Sequence, residues 1–327
     1  MKQIFIINPI AGVMDKTEQI RKILDQRTDV ETIAFNTEEA GAETALMKEM
    51  LEIFDDETVR ICVCGGSGTL SNALDAIDVA DMDHIEMGFF PCGLTNDFLK
   101  NFGESSHRFE DINSIIDGRT TTVDYMRCVI DGDNRRAQNE ILFVTVGIAA
   151  NIERATRRLK FLGGVSPTFM YMLGTIFSLP VSPMVDYEVI IDGKDYSREY
   201  KMIYIGNSPC LGGRFVPIKK EINCRDGYLN VLLVKKIPPV KILKYLNEFM
   251  HGNLPSRRPE VAEVVKCKEI FIRRKDGRPM SINADGEIVT GNSWQIKVVH
   301  DKLKFVIPNS AEFVDDADEV IKWLGLG

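Results

Sequence analysis

The sequence predicts an α/β protein of two parts. A doubly wound parallel sheet occupies the first third, a β-sandwich follows, and a C-terminal helix returns to the first part. Three observations predict this. Up to about residue 120, short apolar runs alternate with segments of helical periodicity. From Thr121 onward, strand-like runs are separated by Asp-Gly pairs. The charge divides at the same place: residues 1–124 hold 10 Lys/Arg against 24 Asp/Glu, residues 309–327 hold 1 against 5, and the stretch between holds 29 against 19. This split assigns 1–124 plus 309–327 to one domain and 125–308 to the other. Either the two domains meet different partners, or their surfaces attract each other.

In the first part, residues 4–7 are a buried strand stopped by Asn8-Pro9, and 15–27 have helical spacing. Residues 30–35 alternate as a strand does. Residues 38–54 carry one apolar helical stripe through Ala42, Ala45, Leu46, Met50, Ile53 and Phe54. Residues 59–64 and 85–90 are further buried strands. Each ends in a glycine turn and is followed by a helix (Leu70, Ala73, Leu74 and Ile77 on one face; then 95–102), and a last helical segment spans 108–117. Strands separated by helices pair in parallel through right-handed crossovers, and ligands bind beyond the carboxyl ends of such strands. In the second part the predicted strands are 121–130, 140–148, 185–192, 199–206, 228–235, 268–274 and 293–307. A helix from Pro238-Pro239 to about Met250 interrupts them, and 310–325 form an amphipathic helix that docks on the first part. Residues 161–185 hold no charge, but Pro167, Pro180 and Pro183 break them, which argues against a membrane span and for an apolar helix near 167–179 lining a cleft or filling a core.

At 327 residues the chain can build two cores, and its 44% hydrophobic content without low-complexity tracts excludes a disordered protein. Seven scattered cysteines, with no CxxC pair, exclude a disulfide framework and a zinc site and fit a reducing compartment. The start of the chain runs straight into a strand, so no signal peptide is expected and the location is cytoplasmic. The four histidines are dispersed and read as surface or packing residues.

The chemistry concentrates in turns. Gly65-Gly66-Ser67-Gly68-Thr69 joins a strand to a helix, and Pro91-Cys92-Gly93-Leu94-Thr95-Asn96-Asp97 follows the next strand. Glycines let a backbone approach an anion closely, and the free N–H groups opening a helix favour phosphate. Two such turns in one parallel sheet point to a nucleotide phosphate tail. Asn8 adds a third polar group at this sheet end, or makes only an Asx turn. Further on, Asn283, Asp285 and Glu287 alternate. They are either one face of a strand, with a carboxylate pair able to take a hydroxyl proton, or an Asp-Gly hairpin.

The ordered set Asn8-Pro9…Gly12, Gly65-Gly66-x-Gly68-Thr69, Pro91-x-Gly93-x-x-Asn96-Asp97-Phe98 and Asp285-Gly286-Glu287 resembles the soluble lipid kinases. These are the diacylglycerol, sphingosine and bacterial lipid kinases, distantly similar to NAD kinase and phosphofructokinase. Asn207, Gly212-Gly213, 226–231 and 160–171 extend the resemblance through the second part. It implies transfer of the ATP γ-phosphate, with Mg²⁺, to a lipid hydroxyl such as that of a diacylglycerol, in the cleft between a nucleotide-binding domain and a β-sandwich domain. It implies that Asn8, Thr37, Gly65, Gly66, Ser67, Gly68, Thr69, Gly93 and Asn96 hold the nucleotide. Asp285 is then the base, Glu287 lies beside the nucleotide, and Asp124 is near the site. Metal ligands are not assigned.

Two departures matter. Ser67 stands where the family usually has Asp, and Leu94 where it usually has Thr. A loss of one acid–base group costs about 10²–10⁴ in rate, so the alternative is a homologue that binds nucleotide or lipid without transfer. A polar substrate of the NAD kinase kind is disfavoured by the uncharged 161–185 stretch. The expected partners are the lipid substrate, a second copy of the chain, and an anionic membrane reached through Arg154, Arg157, Arg158, Lys160, Lys219, Lys220, Arg257 and Arg258. No nucleic acid is expected.

Overall fold

The computed structural model describes residues 1–325 except 40, 55–56, 78–80, 94, 148–183, 214, 220–221, 236, 238 and 315. Leu94, most of the 161–185 stretch, and Arg154, Arg157, Arg158, Lys160 and Lys220 therefore lie outside the described residues.

In the first domain, β1 (Gln3–Ile7), β2 (Thr32–Asn36), β3 (Val59–Gly65) and β4 (Ile85–Pro91) form a parallel sheet in the order β4-β3-β1-β2. Every residue of β1 and β3 is buried, as expected of strands covered by helices on both faces. The covers are α1 (Thr17–Gln26), α2 (Ala42–Ile53), α3 (Ser67–Leu74) and α4 (Ile112–Ile116). The helix expected near 95–102 is a 3₁₀ segment, Asp97–Glu110, kinked at Gly103. Phe98 and Phe102 pin it, their ring centroids 4.7 Å from Phe305 and 4.4 Å from Phe313. The helical segment expected over 108–117 shortens to α4, because the Asp111 carboxylate caps it by accepting the Asn113 N–H.

The second domain stacks two antiparallel sheets. One contains β7 (Phe143–Gly147), β11 (Met202–Gly206), β12 (Leu229–Val234), β13 (Ala262–Cys267), β15 (Met280–Ala284) and β16 (Glu287–Gly291). The other contains β5 (Arg119–Ile130), β6 (Asp133–Glu140), β8 (Val185–Ile191), β9 (Lys194–Asp195), β10 (Arg198–Tyr200), β14 (Glu269–Arg274) and β17 (Ser293–Ile307), and it is continuous with the parallel sheet. The join is a shared strand pair. Trp294–Val299 of β17 pair with Tyr125–Ile130 in the sandwich, whereas Leu303–Ile307 pair with Arg119–Val123, and Lys304 and Phe305 also pair in parallel with Glu86 and Met87 of β4. The register shifts between Val299 and Leu303, opposite Asp124.

Period-2 alternation splits β11 and β12 between two cores. Ile203, Ile205, Val231 and Leu233 face the sandwich interior. Met202, Tyr204, Leu232 and Val234 join the first domain's core, together with Leu211, Phe215, Ile218 and Ile222 of the β11–β12 connection. Helices α5 (Pro239–Met250) and α6 (Leu254–Arg257) add Tyr245 and Leu254 to that layer. The C-terminal helix α7 (Ala317–Trp323) is shorter than the expected 310–325, because Asp316 caps it by accepting the Asp318 N–H at 2.8 Å. It returns to the first domain, where the Lys100 ammonium lies 4.7 Å from the Trp323 ring centroid. Among the described residues, no helix is long and apolar enough to cross a membrane.

Candidate active site

The loops after β1, β3 and β4 meet at one end of the parallel sheet. Asn8 N–H donates to Cys64 O (2.9 Å), and Cys92 N–H and Gly93 N–H donate to Gly65 O (2.7 and 3.1 Å). The contact is so close that it requires glycine. Gly12 sits at φ +82°, and a Cβ there would lie 2.0 Å from the Cys92 carbonyl oxygen; a Cβ on Gly93 would lie 2.6 Å from Gly66 Cα. The front of Gly68 is open, with nothing within 4 Å of where a Cβ would be. An anion can therefore approach the N-terminus of α3 at Gly68.

The polar groups of this cradle are mutually positioned. Asn8 makes the Asx turn, accepting the Ile10 N–H at 3.1 Å, and its amide donates to Glu43 (2.7 Å) and Thr69 (3.2 Å). The Thr69 hydroxyl also accepts the Gly66 N–H at 3.3 Å. Thr37, buried at the end of β2, donates its N–H to Ile7 O. Ser67 Oγ accepts the Asp97 N–H at 3.0 Å and so ties the first turn to the second. Asn96 is left-handed (φ 45°) and donates to Gly93 O at 2.9 Å. Lys16, which the sequence reading did not single out, brings a cation here by donating to Pro91 O at 3.1 Å.

Two buried carboxylates cross from one domain to the other. Asp97 accepts the N–H groups of Gly212 (2.8 Å) and Gly213 (2.7 Å), and burial pushes its pKa up to about 6. Asp285 accepts the Ser71 hydroxyl of α3 at 2.6 Å and the N–H groups of Ile141 (2.8 Å) and Phe143 (2.7 Å), with Leu142 shared between its oxygens at 3.1 Å. Burial raises its pKa, and these four donors oppose the rise.

The alternation of Asn283, Asp285 and Glu287 along one strand is not what forms. Ala284 pairs with Glu287, so Asp285-Gly286 is a two-residue hairpin with both residues at positive φ (43° and 101°). Asp131-Gly132 and Asp192-Gly193 repeat that conformation. What distinguishes Asp285 is its side chain, which turns into the domain junction.

Asp285 and Glu287 line a small cleft together with Gly68, Ser71, Asp75 and Glu140. The open side of the first glycine turn thus faces the carboxylates carried by the second domain. Glu140 is buried and hydrogen-bonds to Asp285; burial and the neighbouring Asp285 and Asp75 push its pKa well above the usual carboxylate range. Burial also raises the pKa of Asp75. Ser71, Asp75 and Glu140 were not foreseen. Ser71 lies one helical turn beyond Ser67, which was the available signal, whereas nothing local marks Asp75 or Glu140.

Asp124 has different partners. Its carboxylate accepts the Gly227 N–H at 2.8 Å and meets His300 Nδ1 at 2.7 Å, beside the register break of β17. His300 is therefore a partner of a buried acid rather than a simple surface residue. Asp124 does not line the cleft at Asp285; its backbone carbonyl accepts from the Asn207 amide at 2.6 Å.

The donor set fits a nucleotide phosphate with Mg²⁺. An open glycine cradle lies beside carboxylates, and Glu43 Oε2 and Asn96 Oδ1 are buried acceptors without a protein partner. Among the described residues, no three acidic, Cys or His side chains converge on a metal. A Mg²⁺ ion here would be held by one or two carboxylates, phosphate oxygens and water, which is its usual mode with phosphate substrates.

Comparison with known proteins agrees with this geometry. Residues 2–128 match the diacylglycerol kinase catalytic domain, and residues 142–307 match the YegS C-terminal NAD kinase beta sandwich-like domain. The chain belongs to the diacylglycerol kinase family of lipid kinases. A candidate lipid kinase of Staphylococcus carnosus is 23% identical over 75% of this chain and 75% of its own. One from Staphylococcus aureus (strain Newman) is 25% identical over 76% of each chain. The fold matches a diacylglycerol kinase structure from Bacillus anthracis with a TM-score of 0.67 at 19% identity, covering 95% of this chain and 98% of that one. It matches a second, candidate diacylglycerol kinase of that organism with a TM-score of 0.72 at 21% identity, covering 94% and 98%.

Proposed function

We propose that this family member transfers the ATP γ-phosphate to the hydroxyl of a diacylglycerol-like lipid, with Mg²⁺, working as a cytoplasmic protein at a membrane surface. The observation that carries the reading is the cleft in which Gly68 faces Asp285 and Glu287 across the domain junction. Gly68 leaves room for phosphate oxygens, and Gly65, Gly66 and Gly93 let the two turns pack closely enough to present their backbone. Thr69 and Asn96 add polar groups, Lys16 supplies positive charge, and Asn8, Thr37 and Ser67 hold the three loops in register. Mg²⁺, when bound, neutralises phosphate charge next to an acidic cleft.

Asp285 has two roles in this reading. Its oxygens hold Ser71 and the start of β7, and its carboxylate is a proton acceptor in the cleft that Gly68 lines. Glu287 is exposed beside it and orients the nucleotide end of the cleft. The test is transfer of labelled γ-phosphate from ATP to a mixed lipid extract, with the native chain beside Asp285→Asn. A labelled lipid that disappears in the variant supports the reading.

Ser67 favours a second reading, binding without transfer. Its neutral hydroxyl is engaged with the Asp97 N–H and brings no charge to the turn. ATP binding by calorimetry without any labelled product would select it.

A further inference from the structure

Glu43 lies in the first turn of α2, is 1% exposed, and does not line the cleft at Asp285. One of its oxygens accepts the Asn8 amide at 2.7 Å; the other is a buried acceptor without a partner. The positive end of α2 offsets part of the cost of burying a carboxylate, but an apolar side chain of similar size would fill the space as well or better. Packing alone does not call for a carboxylate here.

Its task is read from hydrogen-bond polarity. A carboxylate only accepts, and a backbone N–H only donates. Glu43 on one side and the Ile10 N–H on the other therefore fix the Asn8 amide, with Nδ2 toward Glu43 and Oδ1 toward Ile10 at 3.1 Å. Nδ2 also donates to Thr69 Oγ at 3.2 Å, and the same oxygen accepts the Gly66 N–H at 3.3 Å. A hydroxyl has two lone pairs and one proton. Both lone pairs are used, so the proton alone remains, and among the described residues it has no acceptor. Thr69 follows Gly68, the open position at the start of α3, where the first N–H groups of the helix also lack intrahelical acceptors. The Thr44 hydroxyl, next to Glu43, donates to Asn72 O at 2.7 Å and fixes α2 against α3. An Asn8 amide turned the other way would accept the Thr69 proton and remove that donor.

We propose that Glu43 is a positioning residue for the nucleotide: it fixes the Asn8 amide and so keeps the Thr69 hydroxyl as a donor to a phosphate oxygen at the start of α3. This role rests on the nucleotide reading of the glycine turns.

The experiment titrates the full chain with Mg²⁺ and ATP by calorimetry. It compares the native chain with Glu43→Leu, Glu43→Gln, Thr69→Val and the double variant Glu43→Leu/Thr69→Val. Glu43→Leu is expected to weaken binding about tenfold or more, the weight of one hydrogen bond to a charged group. Glu43→Gln should stay within about threefold of native, because its Oε1 still accepts from Asn8. In the Thr69→Val background Glu43→Leu should change affinity less than about twofold, since the group it acts through is already gone. Without ligand, Glu43→Leu should unfold at the same or a higher temperature; a merely structural carboxylate would lose stability instead. Where turnover is measurable, Glu43→Leu should raise KM for ATP and leave kcat near native.

Native affinity in Glu43→Leu overturns the inference. So does a loss in Glu43→Gln equal to that in Glu43→Leu, or losses at Glu43 and Thr69 that multiply independently. A native chain that binds no ATP removes the nucleotide reading and this role together, whereas native binding with Glu43→Leu unaffected removes the role alone.

Discussion

The Ser71–Asp285 hydrogen bond links α3, which carries the glycine turn, to the hairpin of the second domain, and its removal gives the sharpest test of the site. In Ser71→Ala the carboxylate keeps three N–H donors, so it is not orphaned, and only one hydrogen bond to a charged acceptor is lost. Such bonds contribute about 1.5–3 kcal/mol, and the low end applies where the acceptor stays well satisfied. Asp285→Asn turns one oxygen into an NH₂ group. Whichever end becomes the amide, it faces the Ile141 or the Phe143 N–H, leaving a buried donor unpaired at a cost of about 1–3 kcal/mol. Removing the buried charge offsets part of that cost. In the double variant the side-chain bond is already gone, so a coupling energy of about 1 kcal/mol or more is expected. The assay is thermal unfolding of the four proteins of the cycle, followed by turnover. If Asp285 takes the hydroxyl proton, Asp285→Asn loses about 10²–10⁴ in kcat, while Ser71→Ala retains most of it. If Asp285 only positions α3, the two fall together. A coupling energy below about 0.5 kcal/mol, the level at which independent sites add, would refute the reasoning, because the bond across the junction would then not form in solution.

Three further outcomes are expected. Ser67→Asp should raise turnover if the neutral hydroxyl limits transfer; a carboxylate there sits in the first turn of α3, where the helix dipole favours it, and an unchanged rate in labelled-ATP assays would clear Ser67 of blame. Gly12→Ala should abolish ATP binding measured by calorimetry while the sandwich stays folded, since its Cβ would lie 2.0 Å from the Cys92 oxygen at φ +82°; undiminished affinity would separate the β1 loop from the nucleotide. Asp97, with a pKa raised from 3.8 to about 6, keeps its proton longer in the folded state, so the stability this contributes is complete below about pH 4 and lost as pH rises through 6. Between pH 5 and 7 that amounts to about 1.3 kcal/mol, and urea midpoints of Asp97→Asn should lack this slope; identical slopes in both proteins would contradict it.

The first domain was readable because its strands are buried on both faces and appear as uninterrupted apolar runs between helical stripes. The glycine turns were readable for the same reason, since strand ends fix their place in a parallel sheet. β6 and β13 were missed because they run along sheet edges and carry polar or charged side chains, Asp133-Asn134-Arg135-Arg136 in the first case. The sharing of β5 and β17 between domains has no local signature: one strand changes neighbours at a bulge, and periodicity continues through it. Asp285 was found through its Asp-Gly pair, but its work could not be inferred, because the N–H groups it gathers belong to residues more than 140 positions away. His300 was read as a bystander because a single histidine in a strand carries no information until Asp124 is placed beside it.

The two crossing carboxylates explain how the cleft keeps its shape despite lying between separate cores. Asp97 belongs to the first domain and binds backbone N–H groups of the second; Asp285 belongs to the second and binds Ser71 of the first. Each contact fixes the loop that carries it, the phosphate turn at Asp97 and the hairpin at Asp285. Burial raises both pKa values, and the charge of Asp285 adds to the rise at Asp97, so the pair is held together against mutual repulsion by the N–H groups around it. A cation arriving between the domains would relieve that repulsion, and a phosphate at Gly68 without one would worsen it. The electrostatics of the junction therefore favour nucleotide and divalent ion together over nucleotide alone, which is the order of preference that phosphoryl transfer requires.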